Sequence, residues 1–214
     1  WAYLPIPAVL GGLLLGYNIY YFGALAGGYE GVNVEQVLTG SQLSIGLRGL
    51  LVSPNRGLLV FSPVVLPGVV GAILAFRRGV PLLLRYLAIG VASTVAFYAT
   101  MPQWHGQFSF SYRYLVDLLP ALALLAAPTW SWITGRAHRR AILAALAIYS
   151  VAIQAVGAFY YPCDWYRSTR DNPAAVARFF DWTDLEVVQC LQAGPVEPDG
   201  VRLLRGLVRG RASD

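Results

Sequence analysis

The sequence predicts an all-α membrane protein, a polytopic bundle of about five transmembrane helices with an extramembrane C-terminal tail. The 214 residues are 57% hydrophobic and only 13% charged, whereas soluble proteins are roughly 25% charged. Charged side chains are absent from residues 1–29, 57–76, 86–112, 118–135 and 141–163. A helix crosses the hydrocarbon with about 20 apolar residues. These stretches also lack the alternating polar and apolar faces that a water-soluble helical core would require.

The predicted spans are residues 4–22, 57–76, 80–101, 114–133 and 141–160, within a membrane region 1–160 that precedes a tail at 161–214. Pro63 and Pro67 fall inside the second span. They predict a kink there, with freed backbone groups that neighbouring helices must satisfy. Because the chain does not begin with Met and shows no secretory signal, we expect a piece of a longer protein.

Arginines in two short turns predict the orientation of the chain. They are Arg77 and Arg78 between the second and third spans, and Arg136, Arg139 and Arg140 between the fourth and fifth. Both turns lie on one side by parity, and the positive-inside rule makes that side cytoplasmic. Residues 24–56, residues 102–113 and the tail then face outward. Orientation explains the net charge of +5, so the expected partner is a lipid bilayer and not nucleic acid.

Two features of the outward segments leave alternatives open. The apolar residues among positions 31–56 suit either a short helix lying along the outer leaflet or a loop packed on its own spans. Cys163 and Cys190 both lie in the tail. They would pair on an oxidising outward face and would remain thiols on a cytoplasmic one. With no His nearby, we expect no metal site at these cysteines.

Polar residues near the predicted outer surface are the candidates for chemistry. Arg113 stands four residues before Asp117 at the start of the fourth span. The pair predicts either an i, i+4 ion pair or an arginine that binds phosphate while the aspartate orients it.

Trp104 and His105 suit the rim of a sugar site or an ordinary interfacial loop. Arg56, beside Ser53 and Asn55, precedes the second span, where it could attract an anion or accompany a helix cap.

Several common catalytic motifs are absent from the sequence. It contains no Gly-rich phosphate loop, no HExxH, no paired cysteine motif and no nucleophile elbow. Chemistry that depends on ATP or NAD therefore has no support, and no cofactor is identified.

Four segments together resemble the bacterial GT-C membrane glycosyltransferases, which are related to the protein mannosyltransferases. Residues 50–63 read LLVSPNRGLLVFSP and residues 104–120 read WHGQFSFSYRYLVDLLP. Residues 17–23 carry YN and FG pairs, and residues 157–165 read GAFYYPCDW, followed by DW at 181–182. The resemblance covers most of the chain and corresponds to the C-terminal half of such an enzyme.

The resemblance implies transfer of a sugar from a polyprenyl-phosphate carrier to an acceptor on the outer face of the bacterial cytoplasmic (inner) membrane. It implies a carrier-phosphate site at Arg56 and Arg113, with Asp117 orienting Arg113, and a sugar bordered by Trp104 and His105. The family's catalytic carboxylate belongs to an N-terminal loop that matches no position here. The catalytic residues therefore stay unknown, a divalent metal belongs if anywhere to the full-length enzyme, and this piece alone is expected to be inactive.

Two other classes of function compete with the glycosyltransferase. A non-enzymatic scaffold or flippase-like protein could use the same architecture, and it would lack the carboxylate in the upstream loop. A transporter would require paired broken helices in inverted repeats. Only the segment around Pro63 and Pro67 fits that pattern, so the transporter ranks last.

Overall fold

A computed structural model describes residues 5–23, 40–106, 109–163, 165 and 175–196. Over these residues the chain is all-helical, with 73% of them in helices and no strands. The helices are α1 (Pro5–Phe22), α2 (Leu43–Val52), α3 (Leu58–Phe61), a 3-10 helix (Pro63–Val65), α4 (Leu66–Leu74), α5 (Leu82–Thr100), a second 3-10 helix (Arg113–Leu118), α6 (Leu119–Leu125), α7 (Ala127–Thr134), α8 (Ala137–Tyr160), α9 (Ala175–Arg178) and α10 (Glu186–Ala193).

Two of these helices, α5 with 19 residues and α8 with 24, are long and apolar enough to cross a membrane. A third crossing is formed if Arg113–Leu125 and α7, which meet at a bend of 60°, make one span. The predicted number of five spans is therefore not supported within the described residues. The predicted first span is the 18-residue α1, where three tyrosines and Asn18 lower the hydropathy. The predicted second span is divided into α3, a 3-10 helix and α4.

The division of the second predicted span occurs at Pro63, as the sequence predicts. Proline cannot donate a helical hydrogen bond, and the backbone at Ser62 leaves the helical region here. The long helix α8 supplies partners: the Ser150 hydroxyl accepts a hydrogen bond from the Val64 N–H at 3.3 Å. One turn further, the Gln154 amide donates to the hydroxyls of Ser62 and Tyr112. Polar side chains of α8 thus form hydrogen bonds with groups at the helix break, inside an apolar bundle.

Glycines allow the helices to approach closely. A Cβ on Gly71 of α4 would lie 1.6 Å from the Leu125 carbonyl oxygen of α6, and one on Gly68 would lie 2.2 Å from the Leu122 oxygen. Small residues at helix contacts are typical of membrane bundles, where close backbone approach increases dispersion contacts. The helix α1 differs, because it contains no buried residue.

Residues 31–56 include features of both predicted alternatives. The described part contains the helix α2, which packs on α5 with a Cβ at Gly46 only 2.1 Å from the Ala99 oxygen. Leu43 and Val52 of α2 remain exposed. Residues 24–39 lie outside the described residues.

Candidate functional site

The segments predicted to face outward meet at one end of the bundle, which we call the tail end. Six of their residues form what we call the tail-docking cluster: Arg56, Trp104, His105, Trp165, Phe179 and Glu186. They come from the turn after α2, the loop after α5 and the tail. Three segments remote in sequence thus share one packed site, and three of its members are predicted site residues.

The centre of the cluster is a buried ion pair between Arg56 and Glu186. The arginine is 1% exposed and the glutamate 0% exposed, and both terminal nitrogens of Arg56 donate to the carboxylate. The Arg56 Nε donates to the His105 carbonyl at 2.9 Å. Its guanidinium carbon also lies 5.1 Å from the Phe179 ring centroid. An external phosphate would have to displace Glu186 to reach this guanidinium.

Ser53 and Asn55 fasten the tail to the turn after α2. The Ser53 hydroxyl donates to the Phe179 carbonyl at 2.5 Å and accepts the N–H groups of Asn55 and Arg56. The Asn55 amide donates to carbonyl oxygens of the tail, including that of Arg178 at 3.1 Å, while its oxygen accepts the Glu186 N–H at 2.8 Å. The sequence predicted a helix cap or an anion site here. These side chains instead bind backbone groups of the tail.

Aromatic rings complete the cluster. The His105 ring stacks on Phe179 with centroids 4.6 Å apart and planes 18° apart. Trp104 is 1% exposed and meets Phe179 edge-on. Its ring lies against Gly49 of α2, where a Cβ would come within 2.1 Å of a ring carbon. Trp104 is therefore a core residue, and the partly buried His105 lies at the border of the same core.

Burial changes the acid–base properties of two members. Desolvation, aided by the nearby Arg56 charge, lowers the pKa of His105 from 6.5 to about 4, so the imidazole is neutral at physiological pH. Desolvation raises the pKa of Glu186, while the attraction of Arg56 acts in the opposite direction. His105 is neutral and could accept a proton, but its ring is stacked on Phe179.

The tail carries two further restraints. Cys163 and Cys190 form a disulfide bond with Cα atoms 5.1 Å apart, whereas the sequence left open whether they pair or remain thiols. Arg178 forms an ion pair with Asp184, and Trp165 donates to the same carboxylate at 2.9 Å. This second pair is 26% exposed on each side. The chain then returns to the bundle, where the Val196 N–H donates to the Phe159 carbonyl at 2.8 Å.

Arg113 and Asp117 lie apart from the cluster and are exposed. No ion pair joins them in the described part of the chain. They lie on the 3-10 helix Arg113–Leu118, where residues three apart share a face and a spacing of four places them on different faces. The predicted ion pair presupposed α-helical geometry. Arg113 is close to the loop, with its Cβ 3.5 Å from the position of a Cβ on Gly106.

Among the described residues, no group of three or more His, Cys, Asp and Glu side chains could hold a metal ion. The sequence interpretation missed Glu186 and Phe179. Glu186 is the acidic residue that opens α10, and nothing in its neighbours distinguishes it from a solvated first-turn carboxylate. A buried arginine requires a partner, but the burial of Arg56 becomes visible only in the structure.

Comparisons with family models, with characterised proteins and with solved structures found no match to this chain. The described geometry defines a helical, membrane-compatible protein with a tail docked on one end of its bundle.

Proposed function

We propose that this chain is the C-terminal part of a GT-C-type glycosyltransferase that moves a sugar from a polyprenyl-phosphate carrier to an acceptor at the tail end of the bundle. The observation that supports the proposal is that three segments remote in sequence lie close together in space. Segments 50–63, 104–120 and 157–165, which resemble the family, are remote in sequence, and residues from each meet at the tail end. Their role there is to hold the surface on which the upstream catalytic loop would act.

Within this proposal the predicted ligands divide into two groups. Arg56 and Trp104 are enclosed by Glu186, Gly49 and Phe179, so they position the loop after α5 and do not touch the carrier. Arg113 remains exposed beside that loop, and its guanidinium is the group assigned to the carrier phosphate. Asp117 would contact the ligand or the upstream part of the protein and would not orient Arg113.

The test replaces Arg113 by Ala in the full-length protein and measures turnover of a polyprenyl-phosphate sugar. Loss of a charge-assisted phosphate contact worth about 1.5–3 kcal/mol should lower turnover at least tenfold, and Arg113→Lys should recover part of it. The control is Arg48→Ala, because Arg48 is exposed on α2 and, within the part of the chain that the structure describes, its side chain donates to the Ser44 carbonyl of its own helix. Unchanged turnover of Arg113→Ala at normal expression would refute the assignment.

The membrane topology is part of the same proposal. The divided segments 57–76 and 113–134 would cross the bilayer together with α1, α5 and α8, giving five crossings of a bacterial inner membrane. The disulfide supports an oxidising environment for the tail.

A Trp182→Cys variant should react with a membrane-impermeant maleimide in intact spheroplasts, whereas Arg78→Cys should react only after permeabilisation. Labelling of Arg78→Cys in intact cells would overturn the orientation.

A non-enzymatic scaffold is the second candidate, and one observation favours it. Two of the five predicted ligands, Arg56 and Trp104, are 1% exposed and committed to internal contacts. A scaffold requires a rigid tail end but no carrier. It predicts that full-length protein in defined lipid vesicles releases no sugar from the carrier, and that Arg113→Ala retains the cellular function of the wild type.

A further inference from the structure

An apolar groove of about 440 Å³ lies on the outside of the bundle, between α4, α7 and α8. Its lining is apolar except for Thr129 and Arg139. The Thr129 hydroxyl already donates to the Ala126 carbonyl at 2.7 Å. Arg139 is therefore the polar group of this groove that can recognise a ligand.

The groove is open toward the side of the bundle. Its lining residues Trp132 and Ile142 are 62% and 58% exposed, and Val70 is 47% exposed. Since α8 is one of the two helices able to cross a membrane, these side chains would face acyl chains. An elongated apolar group can enter the groove laterally from the bilayer.

The guanidinium of Arg139 is held in place with donors to spare. It stacks on Trp132, with the guanidinium carbon 3.9 Å from the ring centroid, and one N–H donates to the Trp132 carbonyl at 2.8 Å. A guanidinium has five N–H donors. No other acceptor for Arg139 occurs among the described residues.

The end of the groove at Arg139 is strongly basic. The helices α4 and α8 are antiparallel: Val64 contacts Ser150, while Leu74 at the end of α4 lines the same groove as Arg139 and Ile142 at the start of α8. That end, which we call the arginine end, contains Arg77, Arg78, Arg136, Arg139 and Arg140. Residues 57–116 and 118–163 contain no Asp or Glu. Within the described residues no ion pair involves these arginines, so their charge complements an anion.

We propose that this groove binds an acyl chain of an anionic diacyl phospholipid, with the lipid phosphate on Arg139. The apolar lining contacts the acyl chain, and the planar guanidinium donates hydrogen bonds to the phosphate oxygens through its remaining N–H groups. The basic turns add long-range attraction toward an anionic membrane surface. The site lies at the opposite end of the bundle from the tail-docking cluster, so it is separate from the proposed carrier site.

The experiment uses the whole chain in nanodiscs of phosphatidylcholine that contain a minor fraction of lipid with brominated acyl chains. Bromine quenches tryptophan fluorescence on contact, and the Trp132 signal is obtained by subtracting the Trp132→Phe protein. Brominated phosphatidylglycerol should quench Trp132 at least threefold more efficiently than brominated phosphatidylcholine at the same mole fraction.

The variants separate Arg139 from general surface charge. Arg139→Gln should abolish the preference for phosphatidylglycerol, whereas Arg140→Gln, the matched control in the same turn, should keep it. Should Arg139→Gln not fold, Arg139→Lys is measured in its place, and it should retain a reduced preference.

Equal quenching by the two lipids in the wild type would overturn the proposal, as would an unchanged preference in Arg139→Gln or a complete loss of preference in Arg140→Gln. Absence of quenching by either lipid, together with disulfide-linked dimers of a Val70→Cys variant, would show that a second copy covers the groove.

Discussion

The two ends of the helix bundle are held together by different forces. At the tail end, remote segments join through a buried ion pair, side chain-to-backbone hydrogen bonds, a disulfide and stacked rings. At the arginine end, the polar contacts of the described side chains join residues close in sequence, such as Arg139 with Trp132 and Arg85 with Ala75. Arg77, Arg78, Arg136 and Arg140 at the arginine end are exposed and Arg139 is half-buried, whereas Arg56 and Glu186 are enclosed.

This contrast shows how the same residue type has two roles. Exposed arginines at the arginine end depend little on their neighbours, so each can be removed with a small structural cost. Arg56 is enclosed by groups from three segments, and its removal leaves a carboxylate without a counter-charge. Perturbations should therefore be large at the tail end and small at the arginine end.

The largest effect is expected from Arg56→Met. It leaves the fully buried Glu186 unpaired, so the free energy of unfolding should fall by about 3–5 kcal/mol. The measurement is unfolding of the detergent-solubilised protein by sodium dodecyl sulfate.

Two further variants calibrate this prediction. The double variant Arg56→Met, Glu186→Met should recover much of the loss, because it removes both charges. Arg178→Met breaks the half-exposed pair with Asp184 and should cost no more than about 1–2 kcal/mol. A double variant as unstable as Arg56→Met would contradict the ion-pair explanation.

Removing the disulfide is the next largest perturbation. The bond closes a loop with a sequence separation of 27, which corresponds to about 3.5 kcal/mol in the chain-entropy model. We expect Cys163→Ala, Cys190→Ala to lose this amount by the same measurement. Mass-shift labelling of natively localised protein without reductant should detect no free thiol. Two labelled thiols would show that the bond does not form.

Acid should loosen the tail end through His105. Its pKa is about 4 in the folded state against an ordinary 6.5, so the folded state disfavours the proton. The neutral imidazole therefore contributes its full stability to the fold above pH 6.5. This contribution is lost as the pH falls from 6.5 toward 4, because the unfolded chain binds a proton that the folded state does not. Between pH 7 and pH 5 the loss should reach at most about 2 kcal/mol. His105→Phe keeps a stacking ring and should remove this slope, whereas the exposed His138→Phe should not.

The smallest effect is expected at the arginine end, from Arg85→Ala. The Arg85 guanidinium donates to the carbonyls of Ala75 and Arg77, each at 3.1 Å, which satisfies the C-terminal end of α4. Its loss should cost about 1 kcal/mol. Arg78→Ala, an exposed neighbour, should have no measurable effect. An Arg85→Ala cost equal to that of Arg56→Met would remove the proposed difference between the two ends.

The sequence predicted the all-helical class and the break at Pro63, because these depend on composition and on proline chemistry. It left open whether Cys163 and Cys190 pair, because that depends on which side of the membrane holds the tail. It placed the loops and the tail on one side through charge parity. The five continuous spans were not recovered, since hydropathy windows do not register the bend between α6 and α7.

The burial of Arg56 and Trp104 was also missed. The burial of Arg56 depends on Glu186 and that of Trp104 on Phe179. Each partner is more than 70 residues away in the chain, and no local sequence pattern predicts such a contact. A tryptophan at a predicted membrane border has the same sequence signature whether it faces lipid or a core. The sequence could therefore predict that polar and aromatic residues gather at this end of the bundle, but it could not predict that they are buried against one another.

The hydrogen bond between Val196 and Phe159 brings the chain back to the last turn of α8 after the tail-docking cluster. Residues 160 and 196 therefore lie near one point, and the segment between them could be excised by a short splice without extending or shortening α8. Such an excision would leave the bundle's helices intact but would expose Arg56 and Trp104 to water, turning a closed interior into an open cationic, aromatic-lined depression.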